Sequence, residues 1–392
     1  MTTLEIRGFR LARKPARPRV ALVSDAIYPY FRGGKEVRYY EVARRLARRA
    51  DVSVCTMKWW DGPAKVTDNE ITFRAVSPQF QMYVGGRRSY REAILFAIGC
   101  LGLLWLPFDV LEADQFPYFH ILSLRLITWL RRKRLVVTWH EVWGRSYWHE
   151  YAGKAGTVAW FVEWLAMRVP DHLIAASPQT GARLRATLGD RARIAVVPNG
   201  IDLDAIRSSY PDPEGVDIVT VGRLLPHKNV GMLLDAVALL HAAGNPVTCR
   251  VIGDGPQSSE LHNQAERLGI SRAVDFRHDV WEQKDVYALM KSAKAAVFPT
   301  AREGFGIAVL EAIACGLPVV TTSAPDNLAR HLVARSAGGV VCVPSTSAIA
   351  ASISQLLGNR AAMHRAAPSQ EEWLEESTWE SATEKIAEVL GI

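Results

Sequence analysis

The chain has 392 residues, of which 49% are apolar and 22% are charged, the profile of a soluble globular protein. That length exceeds what one ordinary hydrophobic core contains, and it predicts two domains or three. The five cysteines are scattered and include no Cys-x-x-Cys pair, which argues against a disulfide framework or a zinc site.

Positive charge is concentrated in the N-terminal half. Residues 1–190 contain 29 Lys and Arg against 17 Asp and Glu, a net charge of +12, whereas residues 191–392 contain 18 against 23, a net charge of −5. A basic half suits nucleic acid, an anionic membrane surface or a phosphorylated substrate, or it is simply a solvated surface. Because no helix-turn-helix, zinc-finger or RNA-recognition pattern is present, we expect no nucleic-acid partner.

Short strand-like runs alternate with helix-length segments in the first half. Residues 1–18 form a basic leader without a secretory apolar core, so we expect no export and a cytoplasmic protein. Residues 93–108 are sixteen without a charge, fewer than the roughly 20 that a spanning helix needs, and a buried helix is favoured over a membrane-dipping segment. The first predicted strand is followed by a helix over residues 36–49. The strands predicted in this half are 19–24, 51–56, 134–138, 172–175 and 194–197.

The same alternation restarts after a proline-rich stretch at residues 210–214. Strands buried on both faces and joined by helices form doubly wound parallel sheets. We therefore predict an α/β protein with an N-terminal domain over 19–205, a C-terminal domain over 206–376 and a cleft between them. A terminal helix within residues 377–392, capped by Ser377 or Thr378, can pack back on the first domain. The strands predicted in this half are 217–221, 248–252, 273–276, 295–298 and 318–321.

Two loops of the N-terminal half contain residue types suited to ligand binding. Gly33 and Gly34 precede a helix whose first N–H groups can bind an anion, although a tight turn alone also explains the pair. Their spacing is neither that of a Walker loop nor that of a dinucleotide fingerprint. His140 follows a buried strand, at the edge where side chains reach the cleft of an open α/β sheet. It is either a ligand for a substrate hydroxyl or a core histidine, and Glu141 is interpreted as structural or helix-capping.

Cations and glycines follow two strands of the C-terminal half. Arg223 and Lys228 lie five residues apart on one loop, where an arginine fork and a lysine point charge suit a diphosphate. Further along, Gly304 and Gly306 expose the N–H groups at a helix start, which together with the helix dipole form a phosphate cradle.

Two glutamates flank that cradle, eight residues apart. Glu303 lies in the loop beside it, and Glu311 lies about one and a half turns into the helix. A carboxylate can accept hydrogen bonds from two vicinal hydroxyls of a sugar or ribose. Together the pair can hold both sugars of a sugar nucleotide, whereas Glu311 alone would pass for an exposed helix residue.

The pattern Glu303-x7-Glu311, within EGFGIAVLEAIACGLPVV, resembles the signature of retaining glycosyltransferases of family 4, the glycosyl transferases group 1. These enzymes adopt the GT-B fold, in which two Rossmann-like domains face a cleft. The resemblance extends from about residue 19 to the final helix, because five further segments match in the expected order. They are GGKE (33–36), WHE (139–141), VVPNGID (196–202), VGRLLPHKN (221–229) and VIGDGP (251–256).

The resemblance implies a role for each matching residue. Glu311 would bind the nucleotide ribose, and Glu303 a hydroxyl of the transferred sugar. Arg223 and Lys228 would hold the diphosphate and stabilise it as leaving group, while His140 would contact the donor sugar near the reacting centre. The glycine-rich loops would bind the donor through backbone groups. The residues so implied are Gly33, Gly34, Gly222, Gly253, Gly304, Phe305 and Gly306.

The resemblance also implies the reaction. The family needs no divalent metal, because fixed cations and a helix dipole meet the charge that a metal ion would neutralise. Retention usually requires a carboxylate nucleophile, but the residue types present assign none, so we expect reaction on one face of the sugar. The donor would be a UDP- or GDP-sugar, and the choice depends on the loops at 253–256, 277–281 and 303–305.

The acceptor is the least determined part. A glycan or lipid-linked glycan, used in cell-surface polysaccharide or glycolipid synthesis, is preferred, with the basic half in peripheral contact with an anionic membrane at its inner face. A small soluble acceptor, as in sucrose- or glycogen-type synthesis, is the alternative, while a nucleotide-sugar epimerase and a non-catalytic carbohydrate-binding protein are less favoured. The side chains behind the preference are Arg87, Arg88, Arg91, Arg131, Arg132, Lys133, Arg134, Trp139, Trp143, Trp148, Trp160 and Trp164.

Overall fold

A computed structural model describes residues 17–84, 87–280, 282–358 and 368–392. Nearly all of the predicted basic leader therefore lies outside the described residues. Strands and helices alternate through the described chain and form two large sheets, of eight and six strands. The predicted α/β class with two doubly wound domains is confirmed.

The first domain is built on the eight-stranded sheet, whose order is β10-β9-β8-β7-β1-β2-β4-β3. All pairs are parallel except β3 with β4. In chain order the elements are β1 (Arg19–Val23), α1 (Gly34–Leu46), β2 (Asp51–Met57), β3 (Lys65–Asp68), β4 (Ile71–Ser77), β5 (Tyr83–Val84), β6 (Arg87–Arg88), α2 (Tyr90–Cys100), β7 (Val110–Asp114), α3 (Phe119–Leu130), β8 (Arg134–Trp139), α4 (Gly144–Ala152), α5 (Gly156–Ala166), β9 (His172–Ala175), α6 (Pro178–Leu188), β10 (Ile194–Val196) and α7 (Leu203–Ser208).

The second domain is built on the six-stranded sheet, which is parallel throughout and has the order β13-β12-β11-β14-β16-β18. In chain order its elements, with the terminal helices, are β11 (Val216–Val221), α8 (Val230–Ala242), β12 (Cys249–Ile252), α9 (Ser258–Arg267), β13 (Val274–Arg277), α10 (Gln283–Lys291), β14 (Ala293–Phe298), β15 (Arg302–Glu303), α11 (Ile307–Ala314), β16 (Val319–Thr322), β17 (Asp326–Asn327), α12 (Arg330–Arg335), β18 (Val340–Cys342), α13 (Thr346–Gly358), α14 (Pro368–Glu376) and α15 (Trp379–Leu390).

Every predicted strand is present with ends displaced by two residues at most, but β3, β4, β7 and β18 of the two large sheets are not among the predicted strands. Of these, β7 is central. Its sequence VLEAD contains two carboxylates, which interrupt the apolar run that a buried strand normally shows. Both carboxylates are buried, because Glu112 accepts a hydrogen bond from Tyr39 Oη at 2.8 Å and Asp114 pairs with Lys35. Buried charges are tolerated only when they are paired in this way, and the sequence does not display the partners.

The terminal helix α15 returns to the first domain. Thr378 caps it, accepting a hydrogen bond from the Ser381 N–H at 3.2 Å. Trp379 and Ile386 lie in one apolar core with residues of β1 and α1. By contrast, α7 packs Leu203 and Ile206 into the core of the second domain, as α14 packs Trp373 and Leu374. The chain therefore passes between the domains before α7 and again between α14 and α15.

The uncharged stretch at residues 93–108 forms most of α2 and a 3₁₀ turn over Leu101–Trp105. Phe96 and Cys100 are fully buried, but Ile98 is 57% exposed and Trp105 is 85% exposed. The expectation of a buried helix is therefore wrong for its outer face. Within the described residues, no helix combines the length and the apolar character needed to cross a membrane.

Candidate functional site

The two domains meet at the carboxyl ends of their strands. Gly304, after β15, lies so close to the loop after β8 that a Cβ there would stand 2.8 Å from Glu141 Cγ. Likewise, a Cβ on Gly34 would stand 3.3 Å from Ile307 Cδ1, so the helix starts of α1 and α11 face each other across the cleft. The cleft thus brings together loops that lie more than 160 residues apart in sequence.

An open pocket of about 330 Å³ lies at the second domain's side of this cleft. It is lined by the loops after β11 and β14, including Arg223, Lys228 and Glu303. Lys228 Nζ contacts Glu303 Oε2 directly. Two cations and a carboxylate on one wall are suited to a diphosphate next to a sugar hydroxyl.

Glycine is required where two loops of this wall touch. Gly222 has φ 147° and Gly253 has φ 131°, in the region that favours glycine. A Cβ on Gly253 would clash with the carbonyl oxygen of Gly222. The backbone of the two predicted donor-binding glycines therefore forms the floor beside Arg223.

Arg223 reaches toward the first domain. Its guanidinium lies 5.7 Å from the centre of the Tyr83 ring. Glu36, in the first turn of α1, is buried: burial raises the pKa of its carboxyl, while the cations Lys35 and Arg223 act in the opposite direction. Glu36 and Gly33 are packed so tightly that a Cβ on Gly33 would clash with Glu36 Oε2. Glu36 and Tyr83 thus belong to the site, although neither was assigned a role from sequence.

Glu311 lies on α11 and is held by two side chains of α10. Gly306, with φ 95°, ends the preceding loop and allows α11 to begin at Ile307. Gln283 Nε2 and Tyr287 Oη donate hydrogen bonds to Glu311 Oε1 at 2.9 and 3.0 Å. Glu311 is 7% exposed, and burial raises its pKa to about 7. The carboxylate is fixed in place, and the interpretation as an exposed helix residue is excluded.

The raised pKa of Glu311 predicts a pH dependence of donor affinity. If the ionised carboxylate binds ribose hydroxyls, the affinity for a nucleotide sugar rises about three- to tenfold between pH 6 and pH 8, because ionisation strengthens the hydrogen bonds it accepts. His140 does not titrate in this window, since burial lowers its pKa to about 4. Calorimetric titration with a nucleotide sugar measures the change, because the sugar diphosphate, unlike free nucleoside diphosphate, has no terminal phosphate that protonates near pH 6.

Glu311→Gln is the matched control for this titration. The amide keeps the shape and an acceptor oxygen but does not ionise. We expect its affinity to be lower than the wild type's at pH 8 and to show none of the rise between pH 6 and pH 8. A rise of the same size in both proteins would assign the titration to another group.

His140 lies directly after β8, at the cleft edge. Its Nε2 is 3.5 Å from Asp114 Oδ1, too far for a good hydrogen bond, and has no other partner among the described residues. The ring is neutral near pH 7 because its pKa is lowered to about 4. The core-histidine alternative is not supported, since the ring nitrogen is not satisfied by backbone.

Behind His140 lies a buried ionic group that sequence reasoning missed. Lys35 Nζ is 2.6 Å from Asp25 Oδ1 and 2.6 Å from Asp114 Oδ2, and Arg88 also contacts Asp25. Burial opposes ionisation of Asp114, but Lys35 and His140 together lower its pKa. Lys35 stands beside Glu36 in the GGKE segment, so the helix start, β1 and β7 are fixed to each other behind the cleft.

Of the two roles expected for Glu141, helix-capping is wrong and the structural role agrees with its contacts. The N–H groups of Trp143 and Gly144, at the start of α4, donate to Glu163 at 2.9 and 3.0 Å, so Glu141 is not the capping group. Glu141 Oε2 accepts from Trp143 Nε1 at 3.0 Å and lies 3.6 Å from Arg302 Nε across the cleft. It is therefore part of the contact between the domains.

The predicted site residues are thus gathered around one cleft. His140 and the Gly33–Gly34 loop stand on the first domain, while Arg223, Lys228, Glu303 and Glu311 stand on the second. Phe305 is buried in the second domain's core, leaving only its backbone available to a ligand. The site residues that the sequence did not single out, such as Glu36 and Tyr83, are those whose contacts in the cleft come from distant parts of the chain.

Two family models match adjacent parts of the chain. The model described as Glycosyltransferase Family 4 matches residues 32–205, and the model described as Glycosyl transferases group 1 matches residues 204–373. The chain therefore belongs to the family 4 glycosyltransferases, and the predicted family is confirmed.

Individual relatives are more distant. Glycogen synthase of Mycobacterium tuberculosis is 29% identical over 231 residues, covering 58% of this chain and 55% of the relative. The GDP-mannose-dependent α-(1-6)-phosphatidylinositol dimannoside mannosyltransferase of the same organism is 32% identical over 135 residues, covering 32% of this chain and 34% of the relative. The matches thus span about half or less of these curated relatives.

A solved structure matches over almost the whole chain. The Anabaena HepE protein, in complex with UDP and glucose, aligns with a TM-score of 0.72 and 21% identity, covering 95% of this chain and 99% of that one. At this identity the likeness shows a shared fold, which is the predicted GT-B architecture.

Proposed function

We propose that this protein transfers a hexosyl residue from a nucleoside-diphosphate sugar to an acceptor hydroxyl with retention of anomeric configuration. One observation carries the proposal: Arg223, Lys228 and Glu303 line a single pocket at the cleft. The α11 start at Ile307 and Glu311 follow Glu303 by four and eight residues. A donor whose diphosphate is bound by the two cations would thus have one carboxylate, Glu303 or Glu311, for each of its two sugars. The family membership and the UDP bound to the Anabaena protein support a nucleotide-sugar donor.

The groups that line the cleft suggest how the reaction proceeds. The bond between the anomeric carbon and the phosphate oxygen breaks, and Arg223 and Lys228 stabilise the negative charge that develops on the departing diphosphate. The acceptor oxygen attacks the same face, and its proton passes to the departing phosphate oxygen. Glu303 holds a sugar hydroxyl, and neutral His140 contacts the sugar without acting as a proton acceptor. Two fixed cations at the diphosphate support a reaction that needs no divalent metal.

For the acceptor we propose a glycan or lipid-linked glycan at the inner face of the cytoplasmic membrane, in cell-surface polysaccharide or glycolipid synthesis. The phosphatidylinositol mannoside named for one relative supports a lipid acceptor. The net charge of +12 over residues 1–190 supports contact with anionic lipid. The glycogen synthase relative favours the alternative, a soluble acceptor.

A panel of UDP- and GDP-sugars tests the proposal. We expect one donor to release nucleoside diphosphate faster with a membrane lipid extract than with soluble sugars, also in the presence of EDTA. Arg223→Ala should abolish this release, whereas Lys294→Ala, an exposed cation paired with Asp217 on the same sheet, should not. Product with inverted anomeric configuration, or dependence on added metal, would contradict the mechanism.

A further inference from the structure

One surface of the first domain is apolar where solvated helices are normally charged. The exposed large apolar side chains of α2 and the 3₁₀ turn after it are Tyr90, Ile94, Ile98, Leu101 and Trp105, each between 42% and 85% exposed. Their spacing of four, four, three and four residues places them along one side of a continuous helical segment. The segment thus has an apolar stripe on each side, one buried and one facing solvent.

Two neighbouring helices extend this surface. On α3, Leu126, Trp129 and Leu130 are 48–66% exposed, and on α5, Val158 and Phe161 are 65% and 52% exposed. All three helices bury their inner sides in the same core, so they form one layer on one face of the sheet. Of the 17 large apolar side chains exposed in the described residues, 10 lie on the outer side of this layer, which we call the outer apolar surface.

The opposite face of the same sheet shows that this is a local feature. There α15 and the turn after α1 present charged residues to solvent, with Arg48 3.6 Å from Glu380 and Arg49 2.9 Å from Glu384. Neither helix has an exposed large apolar side chain. Apolar patches of this extent mark interaction surfaces in soluble proteins.

The charged residues on and around the outer apolar surface indicate what kind of partner it binds. In the segments Tyr90–Trp105, Phe119–Leu130 and Gly156–Ala166, all of them described, the acidic residues are Glu92 and Glu163, and both are at most 1% exposed. The outer apolar surface therefore presents no carboxylate. Exposed cations stand at its edges instead, with Arg91 on α2, Arg132 after α3 and Arg168 after α5.

We propose that the outer apolar surface docks on an anionic phospholipid bilayer. Ile98, Trp105 and Trp129 would enter the boundary between headgroups and acyl chains, and the edge cations would meet anionic headgroups. Tyr83, which contacts Arg223 in the cleft, lies seven residues before α2 in the chain. The inference rests on the lipid-acceptor part of the proposed function and names the surface that would bring such an acceptor to the cleft.

This assignment corrects the list of aromatic residues drawn from the sequence. Trp139 and Trp148 are 0% and 6% exposed and belong to the core, so they are unavailable to a membrane. Trp105 and Trp129, which are not among those residues, are 85% and 66% exposed.

Co-sedimentation of the full chain with vesicles tests the proposal. We expect binding to equimolar phosphatidylglycerol and phosphatidylcholine, much weaker binding to phosphatidylcholine alone, and a fraction that persists at about 1 M salt, because apolar burial is not screened. Ile98→Glu and Trp129→Glu should each lower the partition coefficient about tenfold, since each places a charge where an apolar group was buried. Leu239→Glu, at a 45% exposed position of α8 in the second domain, is the matched control and should bind like the wild type.

Two results would overturn the assignment. In one, Ile98→Glu and Trp129→Glu bind vesicles as the wild type does. In the other, the wild type does not bind but forms a dimer that Ile98→Glu dissociates, so that a second copy covers the surface. Donor hydrolysis without vesicles is measured in parallel, and we expect it unchanged in both variants. Vesicle binding without any hydrolysis in the wild type would refute the proposed function and leave the docking surface standing.

Discussion

Lys228→Met is expected to lower kcat by about 10²–10³, the loss typical of removing one preorganised group that stabilises developing negative charge. Lys228 contacts Glu303 in the cleft pocket, where a diphosphate and the transferred sugar would meet. Methionine keeps the length of the side chain but removes its charge. We expect KM for the donor to change less than kcat, because the charge on the diphosphate grows as the glycosidic bond breaks. Steady-state kinetics with the donor found in the panel measure both constants.

The fold of this variant should be intact. Lys228 and Glu303 are partly exposed, with side-chain exposures of 26% and 22%, and such pairs contribute at most about 1 kcal/mol to stability. Lys294→Met removes a cation of the same domain from a comparable pair, outside the pocket, and should retain full activity. A kcat within a few-fold of the wild type in Lys228→Met would remove Lys228 from the mechanism.

Lys35→Met is expected to lower the free energy of unfolding by about 3–5 kcal/mol, the cost of leaving buried charges without their partner. Lys35 Nζ lies 2.6 Å from carboxylate oxygens of both Asp25 and Asp114, each of which is 0% exposed. Arg88 contacts Asp25 and Glu92, so Asp114 would lose its ion pair and keep the Phe116 N–H, 3.4 Å from its Oδ1, and the neutral His140 nearby. Urea titration followed by circular dichroism measures the loss.

The matched control is Lys133→Met, which removes a lysine from a pair with Asp109 at the surface of the same domain. We expect a change of at most about 1 kcal/mol there. If both variants lose equally little free energy of unfolding, the buried ionic group is not a structural centre of the first domain. A large loss in Lys35→Met would explain why this lysine stands beside Gly34 and Glu36, since it joins β1, α1 and β7 behind the cleft.

Much of the fold could be predicted because its physical causes are local. The strands of the second sheet are short runs rich in Val, Ile, Ala and Phe, and the charged residues Asp217, Arg250 and Lys294 each stand next to the first residue of a strand. Such runs are typical of strands covered on both faces. Thr378 begins the last helix through a hydrogen bond within three residues. Strand β7 escaped prediction because Glu112 and Asp114 look like surface residues unless their partners on α1 are known. Sequence predicts a buried outer face for α2, because an apolar stretch has the same composition on either side of a helix.

The residues of the candidate site also divide into those that the sequence could select and those that it could not. Arg223, Lys228, Glu303 and Glu311 lie in segments whose order and spacing follow the family pattern, so sequence was enough to select them. Glu36 and Tyr83 became part of the site only when the two domains were brought together. Glu141 could not be assigned from sequence, since its partner Arg302 is on the other domain.

The family, the two parallel sheets and the glutamate pair Glu303 and Glu311 follow from the amino-acid sequence alone, because each of these is encoded in short segments with fixed spacing. What those glutamates face depends on how the chain folds. Lys228 contacts Glu303, and Tyr287 and Gln283 hold Glu311, because side chains from separate loops converge at the carboxyl ends of parallel strands. The tertiary structure also decided which apolar residues face solvent, since burial depends on what packs against a helix and not on the helix alone.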